Sequence, residues 1–87
     1  MTVKQENSQS LQLLKDLQNA GLKLNSRFKI KNYSSFYTIT HIGEPSTLKW
    51  NGRWHKDIVL VTYCATHDPS KSYVRLLDDF IAHAKAA

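Results

Sequence analysis

Eighty-seven residues, 41% apolar and 10% aromatic with only 3 Gly and 2 Pro, have the composition of one small folded domain rather than of a disordered chain. A single cysteine, Cys64, excludes an intramolecular disulfide framework, and the longest apolar run, Ile58-Val59-Leu60-Val61, is far too short to cross a bilayer as a helix. The net charge of +5 is concentrated, since residues 23 to 56 hold Lys23, Arg27, Lys29, Lys31, Lys49, Arg53 and Lys56 against one acid, Glu44; such a field attracts nucleic acid, acidic protein surfaces or an anionic membrane, or serves only to keep a small domain in solution.

The first seven residues are polar and are expected to fray. They carry no apolar stretch after their charges, which argues against a signal peptide and for a reducing, cytoplasmic setting. Residues 8 to 20 then read as a helix. Leu13, Leu14, Leu17 and Ala20 recur at helical spacing with Leu11 beside them, and Gln12, Lys15, Asp16 and Gln18 fill the other face. Asn7, Ser8 or Ser10 suits the start, and Gly21 suits the left-handed position past the end. The leucine stripe lasts less than two heptads, so it is a face for packing on a sheet and not a coiled coil.

After Gly21 the period becomes two. Arg27-Phe28-Lys29-Ile30-Lys31 alternates basic and apolar, giving a strand with one buried and one basic face. A turn over residues 32 to 35 leads to a second strand, Phe36-Tyr37-Thr38-Ile39-Thr40-His41-Ile42, rich in aromatic and β-branched residues. Gly43-Glu44-Pro45-Ser46 ends it. Asn51-Gly52 between Leu48-Lys49-Trp50 and Arg53-Trp54-His55 marks a two-residue hairpin, because both turn positions need positive φ. Residues 57 to 64 read as a central strand, 67 to 70 as a turn, 72 to 76 as a last strand and 78 to 86 as a short helix. Asp78 and Asp79 suit that helix's positive end and Lys85 its negative end. The fold class is therefore α+β: an N-terminal helix packed on a curled antiparallel sheet or small open barrel, with a short C-terminal helix.

The strands 36 to 42, 57 to 63 and 73 to 80 resemble a short bacterial and phage domain of an uncharacterised family. Its pattern is an aromatic-led strand, a Val-rich strand ending in Tyr, here Tyr63, and a Val-Arg pair, here Val74-Arg75, followed by Phe80. The resemblance spans about residues 28 to 80. It implies a small SH3-like β architecture and a bacterial or phage origin, and carries no activity. Leu76 stands where that family commonly has proline, and the leading helix is additional.

Hairpin geometry divides the tryptophans. Trp50 pairs with Arg53 and Lys49 with Trp54, so Leu48, Trp50, Arg53 and His55 share one face while Lys49, Trp54 and Lys56 share the other. If the strand runs unbroken to Leu60, Trp54 is buried with Ile58 and Leu60 and Trp50 is exposed. A bulge near residues 55 to 57 reverses this. In either case an aromatic ring lies among cations, as single-stranded nucleic acid requires for stacking and charge. A Lys49–Trp54 cation–π pair that only stabilises the hairpin is the competing explanation. The basic face Arg27, Lys29 and Lys31 spans about 13 Å at strand rise and is a second candidate surface, unless those cations merely protect an edge strand.

The candidate partner-binding residues are thus Lys49, Trp50, Arg53, Trp54, Lys56, Arg27, Lys29 and Lys31. No catalytic motif is present, and no cofactor is expected. Cys64-Ala65-Thr66-His67 has half-site zinc spacing, yet His41 and His55 supply no second close pair, and a cysteine ending an apolar strand is more often a buried one. The expected function is a non-enzymatic binding protein of phage or mobile-element type that regulates or inhibits by docking on a nucleic acid or nucleoprotein complex through the basic aromatic hairpin. The alternatives are a protein–protein inhibitor of a host effector, of the anti-defence or anti-CRISPR-like kind, and a toxin-like ribonuclease using His41, Lys29, Arg75 and Tyr63.

Overall fold

The computed structural model describes residues 9–87; the expected fraying at the N-terminus and the Asn7 and Ser8 caps lie outside the described residues. The elements run α1 (Gln9–Asn19), β1 (Arg27–Ile30), β2 (Phe36–Ile42), β3 (Ser46–Trp50), β4 (Arg53–Ile58), β5 (Leu60–Ala65), β6 (Asp68–Leu76), α2 (Leu77–His83) and β7 (Ala84–Ala86). Five strands form one sheet in the order β6-β5-β2-β1-β7, and β3 and β4 form a separate two-stranded sheet. Every pairing is antiparallel, and β6 and β7 do not meet, so the sheet is open. This is the α+β class that the periodicities indicate. No helix among the described residues is long and apolar enough to cross a membrane.

The core is one buried cluster on the helix side of the large sheet. Leu17 and Leu22 from the α1 end, Leu77 and Phe80 from α2, and Phe28, Ile30, Tyr37, Ile39, Val61 and Tyr63 from the strands meet there. Phe28 is its hub, with ring centroids 4.8 Å from Phe80 and 5.3 Å from Tyr63, both near-perpendicular. The leucine stripe of α1 packs on this core through Leu17, with Leu13 and Leu14 at its margin. Gly21 has φ +79, and the helix closes with Gly21 N–H on the Gln18 carbonyl and Leu22 N–H on the Leu17 carbonyl. That double closure is the Schellman arrangement, and it aims Leu22 into the core beside Leu17.

Four expectations are corrected. Ser10 does not cap α1. It lies inside the helix, buried, where its N–H donates to Asp57 Oδ2 at 3.1 Å and its hydroxyl donates to the Asp57 carbonyl. The strand expected over 57 to 64 is broken: Asp57 has φ +59, and the register of β3 with β4 shifts between Ser46 and Leu48. The bulge on β4 lets the hairpin leave the large sheet, and Asp is among the few residues that tolerate the left-handed region. The last strand starts earlier than expected, at Asp68, because Thr66-His67 makes the turn and the expected turn residues form an irregularity in β6, where Ser70 N–H and Oγ both bond to Asp68 Oδ1. The final helix is shorter. It ends at His83, and Ala84–Ala86 becomes a strand paired with β1. Alanine favours helix, but the unpaired edge of β1 offers backbone hydrogen bonds that outweigh a weak propensity.

Candidate nucleic-acid interface

The Asn51-Gly52 turn has φ +55 and +74, the doubly positive geometry of a two-residue hairpin. The register follows: Trp50 opposite Arg53, Lys49 opposite Trp54, Leu48 opposite His55. The bulge at Asp57 decides between the two orientations of the tryptophans. Trp54 is the exposed ring, with 67% of its surface in water, while Trp50 is half-buried. Trp50 stacks on His55 at 3.6 Å and 5°. His55 Nε2 is enclosed without a hydrogen-bond partner among the described residues, so the ring is held by stacking.

Lys49 Nζ lies 5.6 Å from the centroid of Trp54, the cation–π contact that hairpin pairing foretells. It stabilises one ring and one cation, yet most of Trp54 still faces solvent. Lys49, Arg53 and Lys56 are all exposed. Among the described residues the only ion pairs are those of Asp79 with Arg75 and His83, so none of the hairpin cations is paired with a described acid.

The second candidate surface is also present, and it is richer than its three cations. Lys29 lies opposite Phe36 and Arg27 opposite Thr38, on the sheet face away from the core. Phe36 is 39% exposed, with the Arg27 guanidinium carbon 4.8 Å and Lys29 Nζ 5.2 Å from its ring centroid. Lys85 of β7 pairs directly with Lys29, adding a cation at this end. Lys31 is exposed just past β1, its N–H bonded to the His83 carbonyl. β1 is an interior strand, so edge protection does not explain Arg27 and Lys29. Like charges set directly opposite, as Lys29 and Lys85 are, weaken a sheet.

The two surfaces do not merge. Phe36 opens β2 and the hairpin follows its end at Ile42, so about 20 Å of strand separates them. Thr38, His41, Thr62 and Cys64 lie between, on the face opposite the core, where a bulge at Thr40 turns His41 outward. A groove lined by His41, Leu48, Leu60 and Thr62 joins this face to the hairpin. Phe36 and Lys85 are the residues of this surface that sequence reasoning missed. Phe36 had a signal, as the residue cross-strand from the basic run, whereas Lys85 lay in a segment read as helix.

The ribonuclease candidates divide. Tyr63 and Arg75 are joined by a 3.0 Å hydrogen bond from Arg75 Nε to the phenol oxygen, on the core side of the sheet. His41 and Lys29 lie on the other face. Cys64 is buried, and no three His, Cys, Asp or Glu side chains come together among the described residues. No family model, curated protein or solved structure matches the chain.

Proposed function

We propose that this protein binds single-stranded nucleic acid, free or within a nucleoprotein complex, and acts by occupying it rather than by transforming it. The observation that carries this reading is Trp54: a large ring, two-thirds in water, with Lys49 at the ring and Arg53 and Lys56 beside it in the chain, none with a described acidic partner. An exposed tryptophan among free cations supplies a stacking face for a base and charge for the phosphates on either side. Phe36, set between Arg27 and Lys29, repeats that chemistry at the far end of the same sheet face. Regulation or inhibition follows from occupancy, in a cytoplasmic setting of phage or mobile-element type.

The test is binding of a labelled single-stranded oligonucleotide at low salt, read by fluorescence anisotropy. Trp54→Ala is expected to cost roughly 1–3 kcal/mol of affinity, the size of one base stack. No binding at low salt, together with a salt-insensitive complex with a host protein, would replace this reading with the protein–protein inhibitor.

A further inference from the structure

All four tyrosines of the chain, Tyr33, Tyr37, Tyr63 and Tyr73, line one cavity of about 140 Å³, completed by Ile30 and Arg75. They come from four separate segments: the turn after β1, then β2, β5 and β6. The rings of Tyr63 and Tyr73 lie 5.5 Å apart and nearly parallel, at 29°, and Tyr37 meets both near-perpendicularly, at 86° and 84°. Tyr33 and Tyr73 are exposed and form the rim, while Tyr37 and Tyr63 are buried and form the floor. The fully enclosed positions beside this cluster are Phe28 and Phe80, so phenylalanine is used where the core closes and tyrosine where it opens.

Arg75 is held in place in this cavity. Its Nε donates to Tyr63 at 3.0 Å and a terminal nitrogen donates to Asp79 Oδ2 at 2.7 Å. A guanidinium has five N–H donors, so these two bonds leave donors available on a rigid group. The Tyr63 bond, ahead of the Asp79 contact, holds Arg75 firmly in its charged form. Burial, with the neighbouring Tyr73, Tyr63 and Tyr33, pushes the Tyr37 phenol up, so it stays a neutral hydrogen-bonding group. Asp79 offsets the charge of Arg75, and among the described residues no second cation lines the cavity.

These features select a ligand. A phosphate finds one already compensated cation, and an ammonium group meets Arg75. A neutral planar ring with a carbonyl acceptor meets stacking walls and a fixed donor. The volume is close to that of cavities of about 150 Å³ that take one benzene ring, which suits one six-membered ring and is small for a fused pair. We propose that this cavity binds a single pyrimidine base, ring against Tyr73 and carbonyl oxygen toward Arg75. The proposal rests on the nucleic-acid reading for its class of ligand, and places a second contact on the opposite face of the sheet. Tyr33 sets one side of the cavity at the sheet end that carries Phe36, so a strand rounding the β1–β2 turn reaches both.

Two arms test it. In the first, uridine monophosphate is titrated into the full chain and the tyrosine ring resonances are followed by NMR, with adenosine monophosphate and ribose 5-phosphate as controls. Saturable shifts at Tyr33 and Tyr73 with the uridine nucleotide, and none with ribose 5-phosphate, are expected. In the second, binding of oligothymidylate and oligodeoxyadenylate is compared in wild type, Tyr73→Ala and Trp54→Ala. Tyr73→Ala should lower oligothymidylate affinity about tenfold and remove most of the preference over oligodeoxyadenylate, whereas Trp54→Ala should weaken both strands alike. Tyr33→Ala, in an exposed turn, replaces Tyr73→Ala if that variant does not fold. Shifts without a strand preference identify a free nucleotide as the source of the base, and a Tyr73-dependent preference identifies the strand; both uphold the site. Equal shifts with ribose 5-phosphate, or neither ring shifts nor a Tyr73-dependent preference, overturn it. Ring shifts that persist while oligonucleotides fail to bind sink the hairpin reading alone.

Discussion

Beneath the five-stranded sheet Phe28 of β1 and Phe80 of α2 are fully enclosed, edge to face at 4.8 Å, while in the β3–β4 hairpin Trp54 leaves 67% of its surface in water. The large sheet is held by burial: apolar residues from two helices and from β1, β2 and β5 converge on Phe28. The hairpin has no such centre. It is held by a turn of two positive-φ residues, by the Trp50–His55 stack, and at its base by the hydrogen bonds of Ser10 to Asp57. One region therefore encloses its central rings, and the other leaves most of a tryptophan in water.

Substitutions sharpen or break this contrast, and urea unfolding followed by far-UV circular dichroism reads it. Phe28→Ala removes the hub of the core and is expected to cost about 3–5 kcal/mol, enough to leave a domain of this size largely unfolded. Ser10→Ala removes the buried hydroxyl that donates to the Asp57 carbonyl and should cost about 1.5 kcal/mol, the upper end for a lost hydrogen bond. A Cβ at Gly52 meets no described atom within 4 Å, so the cost of Gly52→Val is set by backbone strain, about 1–2 kcal/mol. That strain should appear as faster amide exchange in β3 and β4, with the large sheet still protected. Trp54→Ala should change stability by less than about 0.5 kcal/mol, as a surface substitution does. A Trp54→Ala destabilisation approaching that of Phe28→Ala would mean that the tryptophan is structural and the contrast false.

The same contrast separates what the sequence makes legible from what it does not. Local signals are reliable. The α1 leucines with Gly21, and Asn51-Gly52 with its register, each depend on neighbours in the chain. The orientation of Trp54 depends instead on the bulge at Asp57, which Ser10 holds from 47 residues away. β7 is invisible locally, because Ala84-Lys85-Ala86 is helix-favouring and becomes a strand only where β1 offers an open edge. The tyrosine cavity requires Tyr63 to face Tyr73, a register set by the irregularity between Cys64 and Ala65 that no repeat in the sequence announces. Of the candidate interface, the hairpin cations and Trp54 were readable as residue types in a pattern. The flanking of Phe36 by Arg27 and Lys29 was signalled only by its place across the turn from the basic run, and the approach of Lys85 not at all, because it arises from strand pairing with a segment that reads as helix.

The proposed nucleic-acid reading is tested most directly by the salt dependence of single-stranded oligonucleotide affinity for wild type and for the triple variant Lys49→Glu, Arg53→Glu, Lys56→Glu. All three side chains are exposed and none is paired with a described acid, so the variant should unfold at close to the wild-type urea midpoint. Each phosphate left without its cation should reduce the slope of log affinity against log salt by about 0.7. The account predicts weaker binding at low salt with a visibly flatter slope in a folded protein. Wild-type affinity and an unchanged slope in the folded triple variant would contradict it.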